Sequence, residues 1–255
     1  MTFDELSQRT ALITGVSGAI GSRLAATLGG YGARVIGTYR SRAEEAEQAM
    51  SSLPADRRSL VQATLDDADS ARTLWAQASA IADIDTLVVN AAALVKTPLT
   101  GDDSASWDAG WQQSLQVNVV GAATLMREAA AAFAERGFGS IITISSWAGQ
   151  QGSRIPDLGA YGASKAALRN FGQTLARAYA KQGVRVYTIA PGVVDAGMGT
   201  ADLNDDGIRA VADGLAMGRH VDAQEIAELA AFLATDRAPS LTGSTLDLNG
   251  ASYLR

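Results

Sequence analysis

The chain of 255 residues has no cysteine and one histidine, His220. Disulfides, thiolate metal sites and thiol catalysis are therefore excluded, and so is a histidine-rich metal centre. Proline is scarce, and Pro54, Pro98, Pro156, Pro191 and Pro239 are all expected outside regular elements. Basic charge is short as well: 21 Lys and Arg against 27 Asp and Glu leave a formal net charge of −6. No Lys/Arg cluster interrupts that acidity, so nucleic acid is not an expected partner. No apolar run reaches the roughly 18 residues that span a bilayer. The opening MTFDELSQRT lacks the basic start and apolar stretch of a signal peptide. A soluble, cytoplasmic protein with no membrane partner is the expectation.

What the chain does have is hydrophobic residues, 47% of the total, enough to bury one large core. Short β-branched runs alternate with longer amphipathic ones. The candidate strands are Ala11–Thr14, Arg34–Tyr39, Ser59–Gln62, Thr86–Asn90, Ser140–Ile144, Val184–Ile189 and Thr245–Leu248. Helical patterns fall near Ile20–Gly30, Arg42–Met50, Ser70–Ile81, Trp107–Ala134, Ala160–Lys181 and Gln224–Ala234. Runs such as LVV and IITI are apolar on both faces, as a parallel sheet covered by helices on both sides requires. The pattern predicts one doubly wound α/β domain over residues 1–255, with a seven-stranded, mostly parallel sheet. Any ligand belongs at the carboxyl ends of its strands.

The first strand runs into a turn holding Gly15, Gly18 and Gly21, followed by a helix from about Ala19. Glycines there let backbone N–H groups approach a pyrophosphate, and the helix points its positive end at the same place. Such glycines also serve plain strand–helix packing, but their position after the first strand of an alternating chain favours a dinucleotide. The second strand ends in Tyr39, Arg40, Ser41 and Arg42, without the acid that would bond the ribose diol of NAD. Arginines there suit a 2′-phosphate, so NADP(H) is the expected cofactor.

TGVSGAIG, LVVNAA, VNVVG, ISSWAG, YGASK, Pro191–Gly192 and LTGSTLDLNG occur in that order along nearly the whole chain. In this it resembles the short-chain dehydrogenase/reductase family, which implies a Rossmann-type domain. The resemblance implies Asn118, Ser146, Tyr161 and Lys165 as catalytic residues, with Ser146 rather than Ser145 chosen by spacing. For the cofactor it implies Gly15, Ser17, Gly18, Ala19, Ile20 and Gly21 in the turn and Tyr39, Arg40 and Ser41 after the second strand. Thr64 and Leu65 follow the third strand, and Asn90, Ala91 and Ala92 the fourth. Tyr161, Lys165, Pro191, Gly192 and Val194 complete the set. The chain departs from the family pattern at Ala19, Thr64, Val89, Ala92 and Ala196, all positions that concern the cofactor.

Tyr161 and Lys165 stand four residues apart, so on a helix they share a face. An ammonium near a phenol favours the phenolate and brings an ordinary pKa of about 10 towards working pH, where a general acid is effective. In the family mechanism hydride passes between nicotinamide and a carbonyl carbon while Tyr161 gives its proton to the oxygen. Ser146 orients that oxygen, Lys165 also bonds the nicotinamide ribose, and Asn118 holds a water that links Lys165 to solvent. Taken singly, each of these residues is as readily a packing or turn residue.

Substrate contacts are expected from Ser146, Trp147 and Tyr161, with Leu94, Val95, Gln151 to Leu158 and a lid over about 193–216. Arg154, Lys96, Asp202, Asp205 and Asp206 read as solvated, and His220 as a turn residue. Alanine-rich helices imply a homodimer or homotetramer, as in the family. The leading function is NADP(H)-dependent reduction of a small carbonyl substrate. The alternatives are oxidation of a sugar or cyclic alcohol, and a nucleotide-binding sensor or scaffold without turnover.

Overall fold

The structure is a computed structural model that describes residues 4–100, 103–195 and 204–254. Seven strands form one sheet: β1 Thr10–Ile13, β2 Arg34–Tyr39, β3 Arg58–Gln62, β4 Thr86–Val89, β5 Gly139–Ile144, β6 Val184–Pro191 and β7 Thr245–Leu248. Their order is β3-β2-β1-β4-β5-β6-β7, and every pairing is parallel. The sheet is thus wholly parallel, where the pattern predicted mostly so.

Helices α1 Ala19–Gly30, α2 Ala43–Met50 and α9 Ala223–Ala234 supply Leu24, Leu28, Met50, Ile226 and Ala230 to a core with Ile13, Val35, Val88 and Ile142 of the sheet. On the other face α3 Ala68–Ile81, α5 Ala122–Arg136 and α7 Gly159–Tyr179 pack Leu74, Leu125, Phe133 and Leu168 on Leu12, Leu87, Ile141 and Val186. Ile141 and Ile142 go to opposite cores, which is why β5 reads as an unbroken apolar run. The chain winds outward from β1 to β3, then crosses back to β4. The two halves meet between β1 and β4, and the crevice at their carboxyl ends lies there.

The expected elements shift in four places. Thr14 and Asn90 lie just past their strands, where each serves the turn described below. Pro191 is the last residue of β6 rather than a loop proline. It pairs with Leu248 of β7 and sits two residues beyond the final β5 pairing, Ile144↔Ile189, at the end of the strand, where a missing N–H is tolerated. The helix expected over Trp107–Ala134 is α4 Ser104–Leu115 followed by a π segment, Gln116–Gly121, that runs into α5. That segment brings Gly121 so close to Leu65 that a Cβ would overlap the Leu65 carbonyl oxygen. Finally α8, Asp205–Asp213, occupies part of the span expected to form a lid. Its N-cap Asn204 accepts from Gly207 N at 2.8 Å, with Asp205 and Asp206 in the first turn. A short helix, α6 Ala148–Gln151, follows β5. Residues 196–203, including Ala196 and Asp202, lie outside the described residues.

Candidate active site

At the end of β1, Gly15 has φ +76°, a left-handed conformation that admits glycine and strains other residues. The turn is braced from both neighbouring strands. From β2, Thr38 Oγ1 accepts from Gly15 N at 3.2 Å and its carbonyl accepts from Val16 N at 2.9 Å. From β4, Asn90 Nδ2 donates to the Thr14 and Gly15 carbonyls at 2.9 and 3.3 Å. Thr14 Oγ1 accepts from Asn90 N and Ala91 N at 2.9 and 3.0 Å.

Gly18 is the N-cap of α1, no side chain caps the helix, and its first turn carries no acid. Its free N–H groups face the partly exposed turn of Ser17, Gly18, Ala19 and Ile20. Gly21 must be glycine: an added Cβ would stand 2.8 Å from the Gly15 carbonyl carbon and 2.9 Å from Asn90 Nδ2. This is a backbone cradle for an anion at a helix start.

Past β2, Tyr39 is half-buried while Arg40, Ser41 and Arg42 are exposed. Gln62 Nε2 holds the Arg40 carbonyl at 3.0 Å. Among the described residues, neither Arg40 nor Arg42 is paired with a carboxylate. Thr64 is half-buried and Leu65 buried beside the π segment, and Ala91 and Ala92 line the exit of β4. Across the cleft, Trp147 N donates to the Pro191 carbonyl at 2.9 Å. Gly192 packs on Asn249, and Val194 forms a bridge with Val221.

The structure brings Ser146, Tyr161 and Lys165 together at the carboxyl end of β5. The Ser145 hydroxyl donates to the Lys165 carbonyl at 3.2 Å, whereas Ser146 Oγ accepts from Ala148 N at 3.2 Å and lies beside Tyr161. Lys165 is 3% exposed, its Nζ donates to the Ile144 carbonyl at 2.8 Å, and it lies 5.8 Å from the centre of the Tyr161 ring. Burial lowers its pKa to about 8. Burial raises the Tyr161 phenol, and the neighbouring Ser146 opposes that shift. The direction is opposite to the lowering expected from the lysine, because loss of solvent around the phenol is the largest cause.

Asn118 is 1% exposed, and its amide is fully engaged. Oδ1 accepts from Ala93 N at 2.7 Å, and Nδ2 donates to the Ala93 carbonyl at 2.8 Å and to Ser164 Oγ at 2.9 Å. With both amide hydrogens used, the side chain has no donor left for a water. Trp147 is half-buried, and the Arg154 guanidinium lies 5.9 Å over its ring while donating to the Ser252 carbonyl at 3.3 Å. Arg154 is exposed, as expected of a solvated loop arginine, and these contacts tether it over the ring. Leu94 and Val95 are half-buried and Lys96 is exposed. Asp206 pairs with Arg209 at 2.6 Å. His220 is 8% exposed in the turn before α9, with Nε2 unpartnered among the described residues. Thr14, Thr38, Thr97 and Ser164 went unread in the sequence. A threonine between an apolar strand and a glycine turn was the available signal for Thr14.

A glycine cradle at a helix start and a buried Ser–Tyr–Lys group on the same rim define a nucleotide-dependent oxidoreductase. The family model described as Enoyl-(Acyl carrier protein) reductase matches residues 15–250. The 3-oxoacyl-[acyl-carrier-protein] reductase FabG of Escherichia coli (strain K12) is 35% identical over 249 residues, 96% of this chain and 98% of that protein. The acetoacetyl-CoA reductase of Allochromatium vinosum is 33% identical over 250 residues, 96% and 99% of the two chains. A crystal structure of 3-oxoacyl (acyl-carrier-protein) reductase from Agrobacterium tumefaciens C58 with NADP bound superposes with TM-score 0.86. It is 30% identical and covers 97% of this chain and 95% of that one. The chain belongs to the short-chain dehydrogenase/reductase family.

Proposed function

We propose that this enzyme reduces the ketone of a 3-oxoacyl thioester to a secondary alcohol, with Tyr161 as the proton donor. Its cofactor is NADP(H), which supplies the hydride. The residues present fit that cofactor. Gly15 takes the left-handed conformation of the turn, Gly21 lets α1 pack against it where a Cβ would meet the Gly15 carbonyl, and α1 offers uncapped N–H groups. The unpaired Arg40 and Arg42 suit a 2′-phosphate, a doubly charged group that an acid at this position would repel.

The observation that carries the reading is the placement of Tyr161 beside Ser146, with the buried Lys165 Nζ 5.8 Å from the centre of its ring. As hydride reaches the carbonyl carbon, negative charge grows on its oxygen. Ser146 donates to that oxygen and holds it against the phenol. Tyr161 releases its proton to the oxygen, and the alkoxide becomes an alcohol. The Lys165 ammonium stabilises the phenolate left behind.

The rim suits an acyl substrate. Leu99, Ile155, Met217 and Leu254 are 64%, 49%, 54% and 77% exposed, and they come from the segments after β4, β5, β6 and β7 respectively. These segments are tied together: Thr97 N donates to the Asp157 carbonyl, Arg154 to Ser252, and Met217 packs on Gly250. An acyl chain leaving the ketone meets apolar side chains on each side. The span 193–216 then serves as a lid, with α8 on it. Self-association completes the reading, since Leu115 and Val120 lie exposed along α4 and the π segment.

The test is NADPH consumption with acetoacetyl-CoA, simple ketones, quinones and sugars, with Tyr161→Phe as the control. The expected result is turnover of the thioester and loss of at least about 10²-fold of it in the variant. Activity preserved in Tyr161→Phe would end the proton-donor reading, and turnover of sugars alone would end the substrate reading.

A further inference from the structure

Helix α7 carries Tyr161 in its first turn but has no cap of its own. Leu158 at the N-cap makes no side-chain bond, and the first turn contains no acid. Four N–H groups at a helix start need partners, and here one partner comes from far along the chain. Thr97, in the segment after β4, is fully buried. Its N–H donates to the Asp157 carbonyl at 2.7 Å. Its hydroxyl donates to the same carbonyl at 3.3 Å and accepts from Ala160 N, next to Tyr161, at 3.4 Å. Its methyl stands where Gly110 of α4 leaves room, so a Cβ there would be 2.7 Å from Cγ2. That contact locks the rotamer of a β-branched side chain.

A second link runs beside the first. Ser164 Oγ donates to the Tyr161 carbonyl at 2.7 Å and accepts from Asn118 Nδ2 at 2.9 Å. Asn118 in turn is doubly bonded to Ala93. Both links end on the segment that follows β4, and Asn90 and Ala91 at its start brace the glycine turn through Thr14.

We propose that Thr97 and Ser164 are positioning residues that mount the first turn of α7 on the segment after β4, setting Tyr161 against the cofactor turn. Neither touches substrate or cofactor. They act by fixing the distance over which Tyr161 delivers its proton. The proposal rests on Tyr161 being the proton donor. It also explains why Asn118 sits in a π segment: the wider turn presents its amide to Ala93 and Ser164 together.

The experiment compares Thr97→Val, Thr97→Ser, Ser164→Ala, Ser164→Thr and Tyr161→Phe, using acetoacetyl-CoA, NADPH fluorescence titration and thermal melting. Loss of either hydroxyl should lower kcat about tenfold while the NADPH Kd stays within about twofold, a split that general destabilisation does not give. Thr97→Ser and Ser164→Thr, which keep the hydroxyl, should recover most of that loss. Thr97→Val preserves shape, so it decides the matter if Ser164→Ala does not fold. Unchanged kcat in Thr97→Val overturns the mount, as does equal loss in hydroxyl-keeping and hydroxyl-free variants. Tyr161→Phe separates the two claims. If it is inactive while Thr97→Val is fully active, the mount alone fails; if it is active, the proton-donor reading fails first.

Discussion

Gly21→Ala tests the cofactor cradle with one methyl group. The new carbon would stand 2.8 Å from the Gly15 carbonyl carbon, about 0.7 Å inside the ~3.5 Å at which carbon atoms meet. It would also stand 2.9 Å from Asn90 Nδ2. Neither neighbour can yield, because Gly15 is pinned by Thr38 and Asn90 by Thr14. The start of α1 must therefore move off the turn. A shift of that size breaks at least one N–H bond to a phosphate. Charge-assisted bonds contribute about 1.5–3 kcal/mol each, so NADPH affinity should fall about 10- to 100-fold. The assay is NADPH titration by fluorescence, with melting of the free protein measured alongside. Gly30→Ala, at the other end of α1, is the control: nothing lies within 4 Å of its Cβ position. It should bind NADPH normally and gain a few tenths of a kcal/mol or more from better helix propensity. Normal NADPH affinity in Gly21→Ala would refute the cradle. Equal loss of affinity in Gly30→Ala would show that helix stability, and not the turn, is being measured.

Other expectations follow from single groups. Arg40→Asp should move the ratio of kcat/KM values from NADPH towards NADH by at least tenfold, because a carboxylate repels the 2′-phosphate and accepts a ribose diol; an unchanged ratio places the phosphate elsewhere. Lys165 titrates at about 8 in the fold and near 10.4 when unfolded, so between those values the unfolded chain holds the extra proton. Stability should therefore rise with pH across that window relative to Lys165→Met, as read by urea denaturation at several pH values. Asp85 is shifted the other way, raised by burial despite bonds from Thr10 N and Thr86 Oγ1 and the nearby Arg9 and Arg136. Its folded form holds the proton longer, so stability should fall as pH rises from the ordinary carboxylate value of about 3.9. Asp85→Asn should flatten that part of the profile, and an unaltered slope would show that Asp85 does not cause it.

Much of this fold was legible because burial on both faces leaves a local mark. Apolar runs such as LVV and IITI needed no knowledge of their partners, and all seven strands were found within about two residues of their ends. Tyr161 and Lys165 were legible for the same reason, since helical spacing alone puts them on one face. What escaped depends on distant partners. The extra residue of the π segment leaves no trace in a 3.6-residue pattern; only a buried Asn118 hints at it. Thr14 meets Asn90, Asn118 meets Ser164, and Thr97 meets Ala160 across 76, 46 and 63 residues. Nothing near any of them in sequence reveals the meeting. Helix α8 was missed despite a local signal, because the many glycines around Asn204-Asp205-Asp206 suggested irregular chain. The lowering expected at Tyr161 failed because a sequence shows which charge is near a phenol but not how much water has been removed from around it.

The all-parallel order has a consequence for how the protein is made. While the chain is emerging from the ribosome, β1 finds β2 early but has no neighbour on its inner edge until Val89 has been synthesised. Until then the glycine turn is braced from β2 alone, through Thr38, because the bonds from the other side come from Asn90 and Ala91 through Thr14. The nucleotide seat is therefore completed only once residues 90 and 91 of the 255 have been made, although its own glycines are among the first to be translated. A nascent chain halted before residue 90 has the loop without the seat, and NADPH cannot act as a folding ligand for it.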